Sequence, residues 1–195
     1  MPEPPGEYWQ ESALALGHLT SGLIQDEIYQ FKSLGMLINN DGGLIVKPFS
    51  RTTLINSTPD GKLFMVWNDK FNVDIFDLSL NQIDSLSVSI PNQLVTNEER
   101  EEISKLMGEM FRSLGQRYLP YTKPVINNMF VDKSENCWLQ TYDNPEYLVL
   151  NKNGSPLGSF DLQNDMQLAH VDENRIYAIE SYDKGYKIHV FRYKL

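Results

Sequence analysis

A phrase of short, alternating apolar segments split by tight turns recurs along this chain and limits what it can fold into. Residues 54–57 run into Pro59-Asp60-Gly61, a strong turn signature. Residues 62–67 follow, rich in strand formers, and Asn68-Asp69-Lys70 turns the chain again. Residues 73–78 and 86–90 then alternate with period two, as half-buried strands do. The phrase returns over 129–160 and again over 168–191. Its anchor aspartates are Asp60, Asp132 and Asp172. The later two lie 40 residues apart and the earlier two 72, one repeat plus an insertion.

A period of about 40–45 residues with four strands per repeat is that of a β-propeller blade. The expected fold is therefore all-β: a partial β-propeller of three to four four-stranded blades with one inserted amphipathic helix. The insertion supplies the helix, over about residues 96–118. Thr96 with Glu99 three positions on makes a capping box, and Ile103, Leu106, Met107, Met110, Phe111 and Leu114 form one apolar stripe. Glu98, Glu99, Glu101 and Glu102 suit the positive end of the helix dipole. Gly115, Pro120 and Pro124 limit its extension. Residues 1–33 read as a separate N-terminal segment, loop or short helix, the blades occupying 34–195. Within the blades, 34–38 and 44–46 read as a hairpin about Asn39-Asn40-Asp41-Gly42-Gly43.

Charge narrows the partners. The 195 residues carry 17 Lys+Arg against 26 Asp+Glu, a net charge of −9, which repels nucleic acid and anionic membrane. The lone Cys137 excludes an internal disulfide and a multi-cysteine zinc site. No apolar run approaches the roughly 20 residues of a transmembrane helix. The acidic, proline-rich start, Met1-Pro2-Glu3-Pro4-Pro5-Gly6-Glu7, lacks the basic and apolar regions of a secretory signal.

The phrases STPDGKLFMVWNDKFNVDIFDL, LPYTKPVINNMFVDKSENCWLQTYDNPEYLVLNKNGSPLGSFDL and AHVDENRIYAIESYDKGYKIHVFRYKL resemble the C-terminal half of bacterial six-bladed β-propellers of the NHL-like type. The resemblance covers roughly residues 34–195. It implies a cell-envelope or periplasmic protein of unassigned activity. Six blades need about 250 residues before insertions. The last repeat shows three strands and no fourth. The chain is therefore expected to be the C-terminal part of a longer protein, completed by missing N-terminal blades, or one copy of a homo-oligomeric ring.

The turns between second and third strands offer the candidate site. Each places an aromatic residue just before an aspartate: Trp67 and Asp69, Tyr142 and Asp143, Tyr182 and Asp183. Together with the inserted helix they would form a rim able to bind a protein, a small carbohydrate or peptide, or a calcium ion. The same residue types also serve simply as turn formers. His18, His170 and His189 lack metal-ligand spacing, and Cys137 beside Trp138 reads as a core residue. No phosphate loop, nucleophile elbow or zinc-protease motif occurs. The leading expectation is a non-catalytic binding or scaffold module. The alternative is a calcium-dependent hydrolase resembling the lactonase-type six-bladed propellers. A third is a module that self-assembles through its missing strand.

Overall fold

The computed structural model describes residues 6–17, 20–22, 29–38, 43–114, 118–142, 146–162, 166–172 and 174–195, with side chains of 108–114 excepted. Four antiparallel sheets follow one another along the chain. The first joins β1 (Gly6–Leu14), β2 (Tyr29–Ile38) and β3 (Leu44–Val46). The second is β4 (Thr53–Ser57), β5 (Leu63–Trp67), β6 (Asn72–Phe76) and β7 (Gln82–Ser87), in sequence order. The third is β8 (Ile126–Val131), β9 (Cys137–Thr141), β10 (Glu146–Leu150) and β11 (Pro156–Asp161). The fourth has only β12 (Met166–Asp172), β13 (Arg175–Tyr182) and β14 (Gly185–Arg192). One helix, α1 (Asn97–Leu114), is inserted between the second and third sheets. This is the expected all-β class of a partial β-propeller, with two four-stranded and two three-stranded blades among the described residues.

One expectation is corrected. Residues 1–33, read as a loop or short helix, contain a nine-residue strand over Gly6–Leu14 and the start of the strand Tyr29–Ile38. Their pairing explains the difference. Tyr8 pairs with Met36, Trp9 with Gly35 and Gln10 with Leu34. Alternation in β1 is blurred by polar residues, so its strand character comes from cross-strand pairing. The expected hairpin of β2 and β3 is present, with Met36 opposite Val46; its turn lies partly outside the described residues.

The repeated phrase becomes one repeated turn. Thr58, Asp77, Asp132 and Asn151 each open a five-residue turn closed by Lys62, Asn81, Asn136 and Ser155. In each, the first residue's amide donates to the fifth residue's carbonyl, and the fourth residue's amide donates back to the first carbonyl. The side-chain oxygen of the first residue accepts the fifth amide, at 2.9–3.2 Å. The fourth residue is left-handed every time: Gly61, Leu80, Glu135 and Gly154, with φ of 92°, 60°, 63° and 81°. These turns close the first and third connections of both four-stranded blades. The middle connections have other chemistry, and they carry the candidate rim.

The chain forms two compact units. One comprises residues 1–53, 67–70 and 91–125; the other comprises 54–66, 71–90 and 126–195. The second unit has a core of Trp138, Tyr147, Val149, Leu162, Leu168, Val171, Ile176 and Ala178. Trp138 meets Tyr193 edge-on at 4.7 Å between centroids, and Tyr147 stacks on Phe160 at 5.0 Å. The buried Asp132 binds the indole Nε1 of Trp138 at 3.0 Å, tying the turn to the core.

Candidate functional site

The first unit holds a cleft of about 310 Å³ lined chiefly by charged and aromatic groups. Its back wall is the β1–β2 pair. Trp9 stands opposite Gly35 on the neighbouring strand. A Cβ built on Gly35 would lie 2.9 Å from the Trp9 ring and 2.5 Å from Ser50 Oγ. Only glycine leaves room for the indole to cross the strand here. Ser50 completes the arrangement by accepting the Gly35 amide at 2.8 Å and donating to the Gly35 carbonyl at 3.0 Å.

Trp67, at the end of β5, meets Trp9 edge-on, with centroids 5.3 Å apart and planes at 65°. The positive edge of one ring faces the negative face of the other, the favoured aromatic geometry. Lys32 holds its ammonium 5.3 Å from the Trp9 centroid, a cation–π contact. Trp9 remains 36% exposed, so the cleft presents an indole to solvent.

Two cations are buried in the wall, and each has a carboxylate. Lys47 Nζ lies 2.5 Å from Glu7 Oε1. Arg51 Nε donates to Asp69 Oδ1 at 2.8 Å. The rest of the Arg51 guanidinium donates to the carbonyls of Phe49 and Thr122 and to Thr122 Oγ1. Burial of a guanidinium is tolerated because its donors are satisfied in this way. Between the two cations the chain makes a tight turn, Ser50 N donating to Lys47 O at 3.0 Å. Pro48 suits its second position, and Phe49 takes φ of 52° at the third, where glycine is usual. Such strain costs about 1–3 kcal/mol and aims both cations at one cleft.

Asn68 fixes the loop carrying Asp69. Its amide donates to Thr52 O, its Oδ1 accepts Thr52 N at 2.8 Å, and its carbonyl accepts Val125 N. Asn92 Nδ2 donates to the Asp69 carbonyl at 3.0 Å.

Trp67 and Asp69, read from the sequence as one rim position, thus share a single cleft. The other expected positions belong to the second unit. Tyr142 is half-buried after β9, and Asp143 lies outside the described residues. Tyr182 is 56% exposed and Asp183 is exposed in the β13–β14 turn of the second unit. The sequence reading missed Glu7, Trp9, Lys32, Lys47 and Arg51. The Lys47-Pro48-Phe49-Ser50-Arg51 run was a signal for two of them, a turn flanked by cations.

Calcium, implied by the lactonase-like alternative, does not fit these donors. Asp69 spends Oδ1 on Arg51. Among the described residues no three His, Cys, Asp or Glu side chains are grouped as a metal site. No described helix is long and apolar enough to cross a membrane.

No protein-family model matches the chain, and no curated protein sequence matches it. Several solved structures are similar at low identity. A protein of unknown function from Bacteroides caccae shares 11% identity, with 97% of this chain and 73% of that one covered, at a TM-score of 0.41. Luciferin-regenerating enzyme shares 13%, covering 95% of this chain and 57% of its own, at 0.37. A virginiamycin B lyase from Staphylococcus aureus shares 11%, covering 97% and 75%, at 0.31.

Proposed function

We propose that the chain is a non-catalytic binding module of β-propeller type, and that the Trp9–Trp67 cleft takes a small carbohydrate. The observation that carries this reading is a partly exposed indole framed by satisfied ion pairs. A pyranose offers an apolar ring face to the indole and hydroxyls to carboxylates and ammonium groups. Lys32, Lys47 and Arg51 against Glu7 and Asp69 leave the lining near neutrality, which suits an uncharged ligand on an acidic chain. Arg51 and Asp69 serve to position the wall, because their charges are already paired.

The test is titration of the folded chain with an array of neutral oligosaccharides, read by tryptophan emission. A hit lost in Trp9→Ala, with the fold retained by circular dichroism, is the expected result. Binding that survives both Trp9→Ala and Trp67→Ala would refute this assignment. The calcium-dependent hydrolase is separated from it by thermal melting: a rise in Tm with millimolar calcium would favour the hydrolase.

The resemblance to NHL-like six-bladed propellers makes a bacterial cell-envelope location part of the same proposal. In it, further blades or a second copy complete the assembly at β14, which among the described residues has a neighbour on one side only.

A further inference from the structure

We propose that the second unit carries a separate site for an anionic amphiphile, a carboxylate on an alkyl or aromatic body. A cleft of about 710 Å³ lies within this unit, between edge strand β11 and edge strand β14. That volume is within the range of small-molecule sites, roughly 300–1,000 Å³. Trp138, Phe160, Met166, Ile176 and Phe191 make most of its wall apolar. Leu157 and Phe191, at its lip, are 43% and 40% exposed. The aromatic floor is rigid: Trp138 is held edge-on to Phe160 and Tyr193, and Tyr193 Oη donates to Asp172 O at 2.8 Å. A cleft fixed in this way stays open without a ligand to prop it.

Charge chooses the head group. On a chain of net charge −9, residues 184–195 carry Lys184, Lys187, Arg192 and Lys194 and no acidic side chain. Arg192 and Lys194 line the cleft, both exposed, and neither has an ion-pair partner among the described residues. Asp161 is the acid among the lining residues. The nearby Glu180 is bonded to His189 Nε2 at 2.6 Å, and Lys187 Nζ at 3.7 Å offsets its charge. An apolar slot with unpaired cations at its mouth selects an apolar body with an acid at one end.

The probe is undecanoate brominated at its tail, with the matching alcohol as neutral control, because bromine quenches a nearby indole. Trp138 lies in this cleft, whereas Trp9 and Trp67 lie in the other. Quenching is expected in the wild type and in Trp9→Phe/Trp67→Phe, and is expected to vanish in Trp138→Phe. Leu157→Asp, at an exposed lip position, sets a like charge against the carboxylate and should abolish quenching without touching the core, and decides the matter if Trp138→Phe fails to fold. The acid should bind about tenfold more tightly than the alcohol, and Arg192→Gln/Lys194→Gln should erase that gap. Absence of quenching, or quenching that persists in Leu157→Asp, overturns the site. Equal affinity for acid and alcohol overturns the ligand class.

Discussion

Gly35 sets the geometry of the Trp9–Trp67 cleft. A methyl group there has no room, because Ser50 Oγ and the Trp9 ring both stand within 3.0 Å of the Cβ position. Gly35→Ala is expected to destabilise by about 1–3 kcal/mol and to shift tryptophan emission. Gly158 is the matched control, since nothing lies within 4 Å of its Cβ position. Denaturant unfolding of the two variants checks the contrast; equal stability would mean that Trp9 does not cross Gly35. In the second unit Asp132 has a similar importance. It accepts from Ser134 N, Asn136 N, Asn136 Nδ2 and Trp138 Nε1, all at 2.8–3.0 Å. Asp132→Ala should cost about 2–4 kcal/mol in the same measurement, because it leaves a buried indole donor unpaired. Cys137 is fully buried, and burial pushes its thiol up to about 12, with Asp132 and Glu135 adding to the effect. It should resist thiol reagents in the folded protein and react on unfolding. Its core role was legible from its place in a strand. The partnership of Trp9 with Trp67 was not, because it joins positions 58 residues apart.

At the scale of elements, α1 has the expected start. Thr96 N donates to Glu99 Oε2 at 2.9 Å, and Glu99 N donates to Thr96 Oγ1 at 3.2 Å. This reciprocal pair satisfies two amides that a helix start leaves open. Thr96→Ala should cost about 1 kcal/mol, read as lost helical circular dichroism. Burial alone would raise the Glu99 carboxyl, but Lys123 and Thr96 outweigh it and hold it below its ordinary 4.5. A lowered folded value means that this contribution is present above pH 4.5 and disappears as the pH falls through the folded value. Helical signal should therefore drop on acidification below that pH, and Glu99→Gln should flatten the drop. The apolar stripe behaves less simply than its periodicity implied. Ile103 and Met107 are half-buried, whereas Leu106 is 86% exposed. Periodicity identifies a face, but contact with neighbouring elements decides how much of it is covered.

At the scale of the whole molecule, the last blade has three strands among the described residues. β14 shows Tyr186, Ile188 and Val190 at 76%, 66% and 54% exposure, and among the described strands it pairs with β13 alone. Such edges recruit strands. The chain alone should self-associate with rising concentration, and Ile188→Lys/Val190→Lys should suppress it. Light scattering checks this against the chain mass of 22.5 kDa, and a monomer at every concentration would overturn it. The all-β class, the blade period, the capped helix and the three-stranded last blade were all legible in the sequence. Each depends on neighbours close along the chain: alternation, turn chemistry and capping act over two to five residues. Trp67 and Asp69 were legible as neighbours at one turn. Only tertiary structure decided that Trp67 meets Trp9, that Asp69 is bound to Arg51, and that Gly6–Leu14 is a strand. Those outcomes depend on which distant strand supplies the partner, and local patterning carries no record of a side chain's partner across a fold.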